Sequence, residues 1–196
     1  MKREELRELH YIAPMVNVCS ILQRGILSNR RASRIDHASV AMPEVQARRA
    51  NVVVAGSRRL HEYVNLYVCA RNPMLYSRQE QHLDLCVLQI STDVLDLPDV
   101  VVTDRNASSV YVRYAAAPAG LSIVVREWTF AEYWTEPDPT VQLRKKSAKC
   151  AEVLVPDRVD PRFILGAYVS CQVAADKLKS LGTRIGISIH PHMFFQ

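Results

Sequence analysis

The strongest constraint on the fold comes from the segment between Lys149 and Val159, where one carboxylate, Glu152, opens an apolar, β-branched run. Such a run, stopped by Pro156, is typical of a buried strand. A lone acid at the rim of a core strand has two interpretations. It is either a strand-end charge paired with Lys149 or Arg158, which is common, or a functional carboxylate. The local pattern leaves both open.

Periodicity along the rest of the chain predicts an α+β fold without an internal repeat. Apolar residues at helical spacing follow Met15 and end before Gly25, and Pro43 stands where a second helix would begin. The strands are concentrated after residue 60 and do not alternate regularly with helices, which argues against a doubly wound nucleotide-binding sheet. The predicted strands are 9–12, 63–70, 83–90, 100–103, 122–125, 152–156, 164–170 and 184–189; the predicted helices are 15–24, 43–50, 128–134, 140–149 and 172–181.

The composition predicts one globular domain over residues 1–196 with a sizeable core, since 48% of the residues are hydrophobic and only 6 are glycine. No apolar run approaches the roughly 18 residues of a membrane span, and the charged first residues do not resemble a signal peptide. We therefore expect a cytoplasmic protein. The five cysteines are odd in number, far apart and set among aliphatic residues, which predicts reduced core thiols instead of disulfides or a zinc site.

The net charge of +5 is unevenly distributed. Between Arg24 and Arg59 the chain carries eight arginines against two acids, and no lysine. A guanidinium group presents a rigid fork that matches two phosphate oxygens, whereas a solvated surface usually mixes Lys with Glu. This stretch therefore predicts phosphate contacts, with a merely soluble basic face as the alternative.

Well-known catalytic motifs are missing from the sequence. It contains no GxGxxG, GxxxxGK[ST], HExxH or GxSxG pattern, which removes support for dinucleotide-binding, P-loop, zincin and α/β-hydrolase chemistry. His190 and His192 have no third ligand nearby in the sequence, so we expect a solvated chain end and no metal. Trp128, Tyr133 and Trp134 could stack on bases, but their spacing on a predicted helix favours a core role.

Seven segments, taken in order along nearly the whole chain, resemble the DarT family of DNA ADP-ribosyltransferase toxins. They are LHYIA (9–13), SILQRGIL (20–27), EVQARR (44–49), YVNLY (63–67), ARNPMLY (70–76), DRNA (104–107) and AEVLVPDR (151–158). The resemblance implies an ADP-ribosyltransferase-like α+β fold, with a split mixed β-sheet, flanking helices and NAD+ in a central cleft. It also implies transfer of ADP-ribose from NAD+ onto a base of single-stranded DNA.

The resemblance assigns Glu152 as the catalytic glutamate. Cleavage of the nicotinamide glycosidic bond leaves a ribosyl cation, which a nearby carboxylate stabilises while it helps to deprotonate the incoming base. Arg48 or Arg49 is implied beside it, as a fork for the NAD+ pyrophosphate. The other cofactor-binding residues implied are His10, Tyr11, Ile12, Asn17, Leu27 and Tyr67. The DNA-binding residues expected are Arg71, Met74, Asn106, Arg34, Arg144 and Lys145.

Two departures from the family pattern bear on the acceptor base. Many thymine-modifying relatives read YHIT at the first strand and DRHA at the later loop, where this chain has HYIA (10–13) and DRNA (104–107). Asn106 thus replaces a possible proton-handling histidine with an amide. Because the exocyclic amine of guanine needs less base assistance than a thymine ring nitrogen, the pattern predicts the guanine-modifying branch.

The resemblance also implies a partner, an antitoxin hydrolase that removes the adduct, either a macrodomain protein or an enzyme of the NADAR type. The chain is then a bacterial toxin that blocks DNA replication, and we expect it to be a monomer that binds no membrane. Two other functions stay open. One is the same chemistry on thymine, RNA or protein; the other is a non-catalytic nucleic-acid-binding module in which Glu152 is a structural strand end.

Overall fold

The computed structural model describes residues 1–54 and 58–196, so that positions 55–57 of the basic stretch lie outside the described residues. The strands are β1 Leu9–Pro14, β2 Ile26–Leu27, β3 Tyr63–Tyr67, β4 Leu85–Ile90, β5 Val101–Thr103, β6 Tyr114–Ala116, β7 Glu152–Pro156, β8 Arg158–Val159, β9 Ile164–Val169 and β10 Ile187–Ile189. The α-helices are α1 Val18–Arg24, α2 Asn29–Ala32, α3 Pro43–Ala50, α4 Pro73–Tyr76, α5 Arg126–Thr129, α6 Pro139–Ala148 and α7 Gln172–Ser180.

Eight of these strands form one mixed sheet in the order β10-β9-β4-β1-β3-β7-β5-β6, and β2 pairs with β8 separately. Only the β10–β9 pair of the large sheet is parallel. Strand β1 pairs with β4 along its whole length, but with β3 at a single register pair, His10 with Tyr67. The sheet is therefore split into two halves that are joined at this one pair, as the sequence predicts.

The two faces of the sheet carry different side chains because successive strand residues point to opposite sides. In β7, Val153 and Val155 belong to the main hydrophobic core on one face. Glu152 and Leu154 take the other face, where Leu154 packs in a smaller cluster with Tyr63 and Leu60. A strand buried on both faces explains why the sequence shows an unbroken apolar run here.

The face of Glu152 carries two small apolar clusters with a polar gap between them. One contains Leu154 and Tyr63, and the other, in which Ile12 and Val87 are buried, includes the end of the chain through Phe194. Apolar packing on both sides fixes the strands, while the gap between the clusters holds the polar side chains of the candidate site.

Three expectations from the sequence are wrong in detail. Residues 122 and 123 of the predicted strand at 122–125 belong instead to a 3-10 helix, Ala119–Ile123, because the buried residues of this segment, Leu121 and Val124, are three positions apart. The predicted aromatic helix at 128–134 ends at Thr129. The chain end is not simply solvated, since Met193 and Phe194 are buried in the cluster around Ile12.

The cysteines are all unpaired in the structure, and Cys86 is fully buried. Burial raises the pKa of the Cys86 thiol to about 12, as expected for a thiol that fills space in a core. No helix within the described ranges is long and apolar enough to cross a bilayer.

Two glycines, Gly25 after α1 and Gly182 after α7, have positive φ but differ in how closely other atoms approach them. Gly25 has φ 84° and ψ 172°, a conformation open essentially to glycine alone, and a Cβ there would collide with the carbonyl oxygen of Val159. Gly182 has φ 78°, but no atom of the described residues lies within 4 Å of the corresponding Cβ position.

We expect Gly25→Ala to lower the free energy of unfolding by about 3 kcal/mol or more, since conformational strain and a backbone collision add together. Gly182→Ala, the matched control, should cost only about 1–2 kcal/mol from strain alone. Urea denaturation of both variants measures the difference. Equal losses would show that the collision near Val159 is relieved without cost.

Candidate active site

A row of polar side chains crosses the sheet where its two halves meet. The backbone register pairs His10 with Tyr67, Tyr67 with Glu152, and Glu152 with Thr103. Residues directly opposite each other on neighbouring strands share a face of the sheet. Four strands therefore bring their polar residues into one line, at the end of β3 and β5 and the start of β7.

Glu152 is the centre of this row and is fully buried. Its Oε1 accepts a hydrogen bond from Nη1 of Arg49 at 3.2 Å, and its Oε2 accepts from Nη2 of Arg49 at 2.9 Å and from Nδ2 of Asn65 at 2.7 Å. The Glu152 backbone N–H donates to Oγ1 of Thr103 at 3.1 Å. The carboxylate is thus held in one orientation by groups from α3 and β3, while β5 binds the backbone of Glu152.

The structural alternative for Glu152, a pairing with Lys149 or Arg158, is wrong. Nζ of Lys149 donates to the carbonyl oxygens of Thr129 at 3.2 Å and Ala131 at 2.5 Å. Arg158 pairs with Asp160. Lys149 and Arg158 are near Glu152 in the sequence but do not bind it, because the Glu152 side chain lies on the face of β7 that carries the candidate site.

The adjacent arginines of α3 have different surroundings. Arg49, in the last turn of the helix that Pro43 begins, is buried, whereas Arg48 is exposed. Burial acts to lower the pKa of Arg49, but the charge and hydrogen bonds of Glu152 raise it above its ordinary value. The structure therefore brings Arg49, and not Arg48, to the carboxylate as a buried ion pair.

The loop after β5 is fixed by the buried carboxylate of Asp104. Arg113 donates to it through its backbone N–H and its Nε, both at 2.9 Å, and Arg105 donates through Nε and Nη2 at 3.2 and 3.0 Å. Burial acts to raise the pKa of Asp104, but these hydrogen bonds hold it below its ordinary value. The loop that carries the DRNA segment is therefore anchored at its first residue.

Asn106 lies at the candidate site because of this anchor. Its Oδ1 accepts hydrogen bonds from the backbone N–H and the hydroxyl of Ser108, at 2.9 and 2.7 Å. It also accepts a longer one, 3.4 Å, from Nη1 of Arg49. Asn106 is therefore coupled to Glu152 through the shared guanidinium group.

The other end of the row is formed by His10 and Tyr67. Nε2 of His10 lies 3.1 Å from Oε1 of Glu8, which also accepts from the hydroxyl of Tyr168 at 2.9 Å. Nδ1 of His10 is buried and has no hydrogen-bond partner among the described residues. Burial raises the pKa of the Tyr67 hydroxyl, as does the charge of Glu152. A buried nitrogen without a partner is a candidate contact for a bound polar group.

The residues expected to bind the cofactor fall into two groups. His10, Ile12 and Tyr67 lie on the face of Glu152. Tyr11, Asn17 and Leu27 instead line a narrow cavity of about 50 Å³ beside α1, where Tyr11 packs against the main core. The alternation along β1 places neighbouring residues on opposite faces, so the two groups lie on either side of this strand.

A family model described as "ssDNA thymidine ADP-ribosyltransferase, DarT" matches residues 10–195. The chain belongs to the DarT family. It is 35% identical over 198 residues to a DNA ADP-ribosyl transferase–DNA ADP-ribosyl glycohydrolase fusion protein of Thermosipho africanus, of which the match covers 96% of this chain but 49% of that protein. The chain thus spans about half the length of this relative.

Solved DarT structures share the fold. Thermus sp. 2.9 DarT in complex with ADP-ribosylated ssDNA matches with a TM-score of 0.82 and 26% identity, over 99% of this chain and 100% of that one. The same protein in complex with NAD+ matches with a TM-score of 0.77 and 25% identity, over 97% and 98%. The fold class and the family predicted from the sequence are therefore confirmed.

The residues that the DarT resemblance assigns to DNA are spread over three regions. Arg71 and Met74 flank the start of α4, and Asn106 lies at the site. Arg34 and Arg144 are exposed, but Lys145 is paired with Glu136 at 2.6 Å.

The arginine-rich stretch between Arg24 and Arg59 contains the short helix α2 as well as the predicted helix α3. Three of its arginines are also engaged in ion pairs: Arg30 with Glu62, Arg49 with Glu152 and Arg58 with Asp157.

Sequence reasoning did not identify Asn65 and Thr103, which orient Glu152 in this DarT family member. Asn65 carries a usable signal, because it stands two residues before Tyr67 and therefore shares its face in a strand. Thr103 gives no local signal. Its role follows only from the pairing of β5 with β7.

We expect Glu152→Ala to lower the free energy of unfolding by about 3–5 kcal/mol, because it leaves the guanidinium of Arg49 buried without its partner. Arg49→Met should destabilise for the converse reason. The double variant Arg49→Met/Glu152→Ala should lose less than the sum, since it removes both charges together. Urea denaturation of the full cycle measures the coupling, and additive losses would contradict a buried ion pair.

Proposed function

We propose that this chain is a single DarT-like domain that transfers ADP-ribose from NAD+ onto a base of single-stranded DNA and releases nicotinamide. The observation that carries the proposal is the buried Glu152 carboxylate, held by Arg49 and Asn65 where the two halves of the sheet meet. The Thermus sp. 2.9 DarT named above, solved in complex with NAD+ and with ADP-ribosylated ssDNA, supports the same chemistry.

The hydrogen bonds that Glu152 accepts support Oε1 as the oxygen that acts in the proposed reaction. A carboxylate offers about four acceptor positions, of which Oε2 uses two and Oε1 only one among the described residues. The remaining position is on Oε1. In the proposed reaction the nicotinamide C–N bond breaks with its electron pair leaving on nicotinamide, and Glu152 stabilises the ribosyl cation. A nitrogen of the base then bonds to the ribose carbon and gives up its proton, for which Oε1 is the acceptor.

The surrounding residues are suited to the polar ends of NAD+. Nδ1 of His10 is buried without a partner among the described residues, in a position to meet a polar group at the nicotinamide end. Arg49 is engaged with Glu152, so we assign it the positioning of the carboxylate. The exposed Arg48, on the same helix, is then the better candidate for the pyrophosphate.

The acceptor base has two candidates. The family description names thymidine, which favours thymine over the guanine predicted from Asn106. Guanine stays a prediction, supported by the amide at position 106, whose Oδ1 accepts from Arg49 and Ser108. Fragmentation of the modified oligonucleotide by mass spectrometry identifies the base.

The Thermosipho relative joins the transferase to a DNA ADP-ribosyl glycohydrolase in one protein. We propose that this chain likewise works against a hydrolase that removes its adduct, as toxin and antitoxin, in the bacterial cytoplasm. Whether that hydrolase is a macrodomain or a NADAR-type enzyme follows from the acceptor base.

The non-catalytic alternative, in which Glu152 is a structural strand end, requires a test of its own. Loss of stability in Glu152→Ala does not separate the two functions, because a buried ion pair is destabilised by truncation whether or not it is catalytic. Glu152→Gln is the sharper change. An amide oxygen at the Oε2 position still accepts from Nη2 of Arg49 and from Asn65, while the negative charge and the hydrogen bond from Nη1 of Arg49 are lost.

We expect Glu152→Gln to lower the rate of ADP-ribose transfer by about 10²- to 10⁴-fold while the chain stays folded. Mass spectrometry of a mixed-sequence single-stranded DNA incubated with NAD+ measures the transfer. Glu127→Gln, at an exposed position of α5, is the matched control. Full transfer by Glu152→Gln would contradict the proposal, and NAD+ consumption without a DNA adduct would redirect it to RNA or protein.

We also expect affinity for oligonucleotides to fall as salt rises, because phosphate contacts release counterions. About three contacts would weaken binding roughly tenfold or more between about 50 and 200 mM salt. Arg144→Ala should make this dependence shallower. Arg162→Ala should leave the salt dependence unchanged, because the guanidinium of Arg162 lies 4.8 Å from the ring centroid of Phe163 on the main-core side. Fluorescence anisotropy measures both, and salt-independent binding would exclude a phosphate-binding surface.

A further inference from the structure

A second cavity, of about 480 Å³, opens between α4, the segment after α5 and the end of the chain. Its volume is in the range of small-ligand pockets. The lining is unusually aromatic for a surface feature, and the residues used below are Arg71, Tyr76, Glu132, Tyr133, Trp134 and Phe195. We call this cavity the aromatic cleft.

The rings of the aromatic cleft pack against one another, and two of them remain largely exposed. Tyr76, Trp134 and Phe195 pack edge to face, with centroid distances of 5.1 to 5.9 Å. Tyr76 and Tyr133 remain 47% and 61% exposed. The sequence expectation of a core role is therefore wrong for Tyr133, and Trp134 lines a cavity. Preorganised aromatic rings at a surface are suited to a planar, uncharged ligand.

The charges of the cleft favour a base over a phosphate. The guanidinium of Arg71 lies 4.0 Å from the ring centroid of Phe195 and donates to the carbonyl oxygen of His192. The carboxylate of Glu132 lies in the same cleft, 3.3 Å from Nε2 of His192, and it would repel a phosphate. An uncharged base can stack on the aromatic rings and on the fixed guanidinium without electrostatic repulsion from Glu132.

The cleft lies at the same end of the sheet as Glu152 but is separated from it. Lys149 precedes Glu152 by three residues, which span at most about 11 Å, and its Nζ is 6.0 Å from the ring centroid of Trp134. Nζ of Lys149 is also 4.0 Å from Sγ of Cys69, two residues beyond Tyr67. Glu152 and its partners Arg49 and Asn65 are not among the residues that line the cleft, so a base stacked there is not the base that reacts.

We propose that the aromatic cleft is a stacking site for one unpaired base of the DNA strand, close to the nucleotide that receives ADP-ribose. The inference rests on the proposed function and deepens it, because it gives the strand a second point of attachment beside the reacting base. Such a contact holds the strand in register while phosphate contacts supply affinity. It also selects single-stranded DNA, since a paired base cannot enter the cleft.

The test measures binding in the Glu152→Gln background, so that it does not depend on catalysis. At fixed salt, we expect Trp134→Leu to raise the Kd for a labelled oligonucleotide about 5- to 150-fold, the equivalent of one stacked base. Trp134→Phe should restore most of the affinity. Phe130→Leu, which removes a 40% exposed ring outside the cleft, is the matched control and should leave the Kd unchanged.

A series of oligonucleotides with one abasic position each completes the experiment. With Trp134 present, one abasic position should weaken binding, and the Trp134→Leu variant should be insensitive to that same position. Tyr133→Ala repeats the test at an exposed residue if Trp134→Leu does not fold. An unchanged Kd would overturn the proposal, as would a loss of NAD+ affinity in place of DNA affinity. Failure of ADP-ribose transfer by the wild-type chain would overturn the proposed function and leave the binding result standing.

Discussion

The buried ion pair between Arg49 and Glu152 is the interaction on which the arrangement of the site depends. An ion pair that is removed from water loses hydration energy, which the attraction between its charges offsets only if the geometry is good and the remaining acceptor positions are satisfied. Asn65 supplies one of these contacts, and Asn106 binds the same guanidinium. A helix, two strands and a loop must therefore meet at one place for the pair to be stable.

The rest of the sheet makes this meeting possible. On one face, the main core packs the two halves continuously through residues such as Leu66, Leu88 and Val153. On the other face, the apolar clusters around Leu154 and Ile12 leave a polar gap between them. Rigid apolar packing on three sides thus surrounds a charged centre, which keeps the carboxylate in one orientation.

The charge distribution has a related consequence for a nucleic-acid substrate. Ion pairs neutralise Arg30, Arg49 and Arg58 of the arginine-rich stretch. In the proposed function, the remaining exposed cations bind phosphates, which carry no sequence information, and the aromatic rings of the cleft bind bases. An enzyme that modifies one base of a flexible strand requires both, because phosphate contacts alone allow the strand to slide.

The sequence by itself determined the type of fold, the helix that begins at Pro43, the β7 strand and the family, because each depends on local spacing or on ordered motifs. It also identified Glu152 as a carboxylate out of place in an apolar run. Which of Arg48 and Arg49 pairs with Glu152 was beyond it, as were the contacts that Asn65 and Thr103 make with Glu152. Only the tertiary structure decided these, because partners of Glu152 at positions 49, 65 and 103 meet through strand register and helix packing, which no local pattern encodes. The aromatic cleft is also formed only by the tertiary structure, because Tyr76, Trp134 and Phe195 come together when the end of the chain packs against α4.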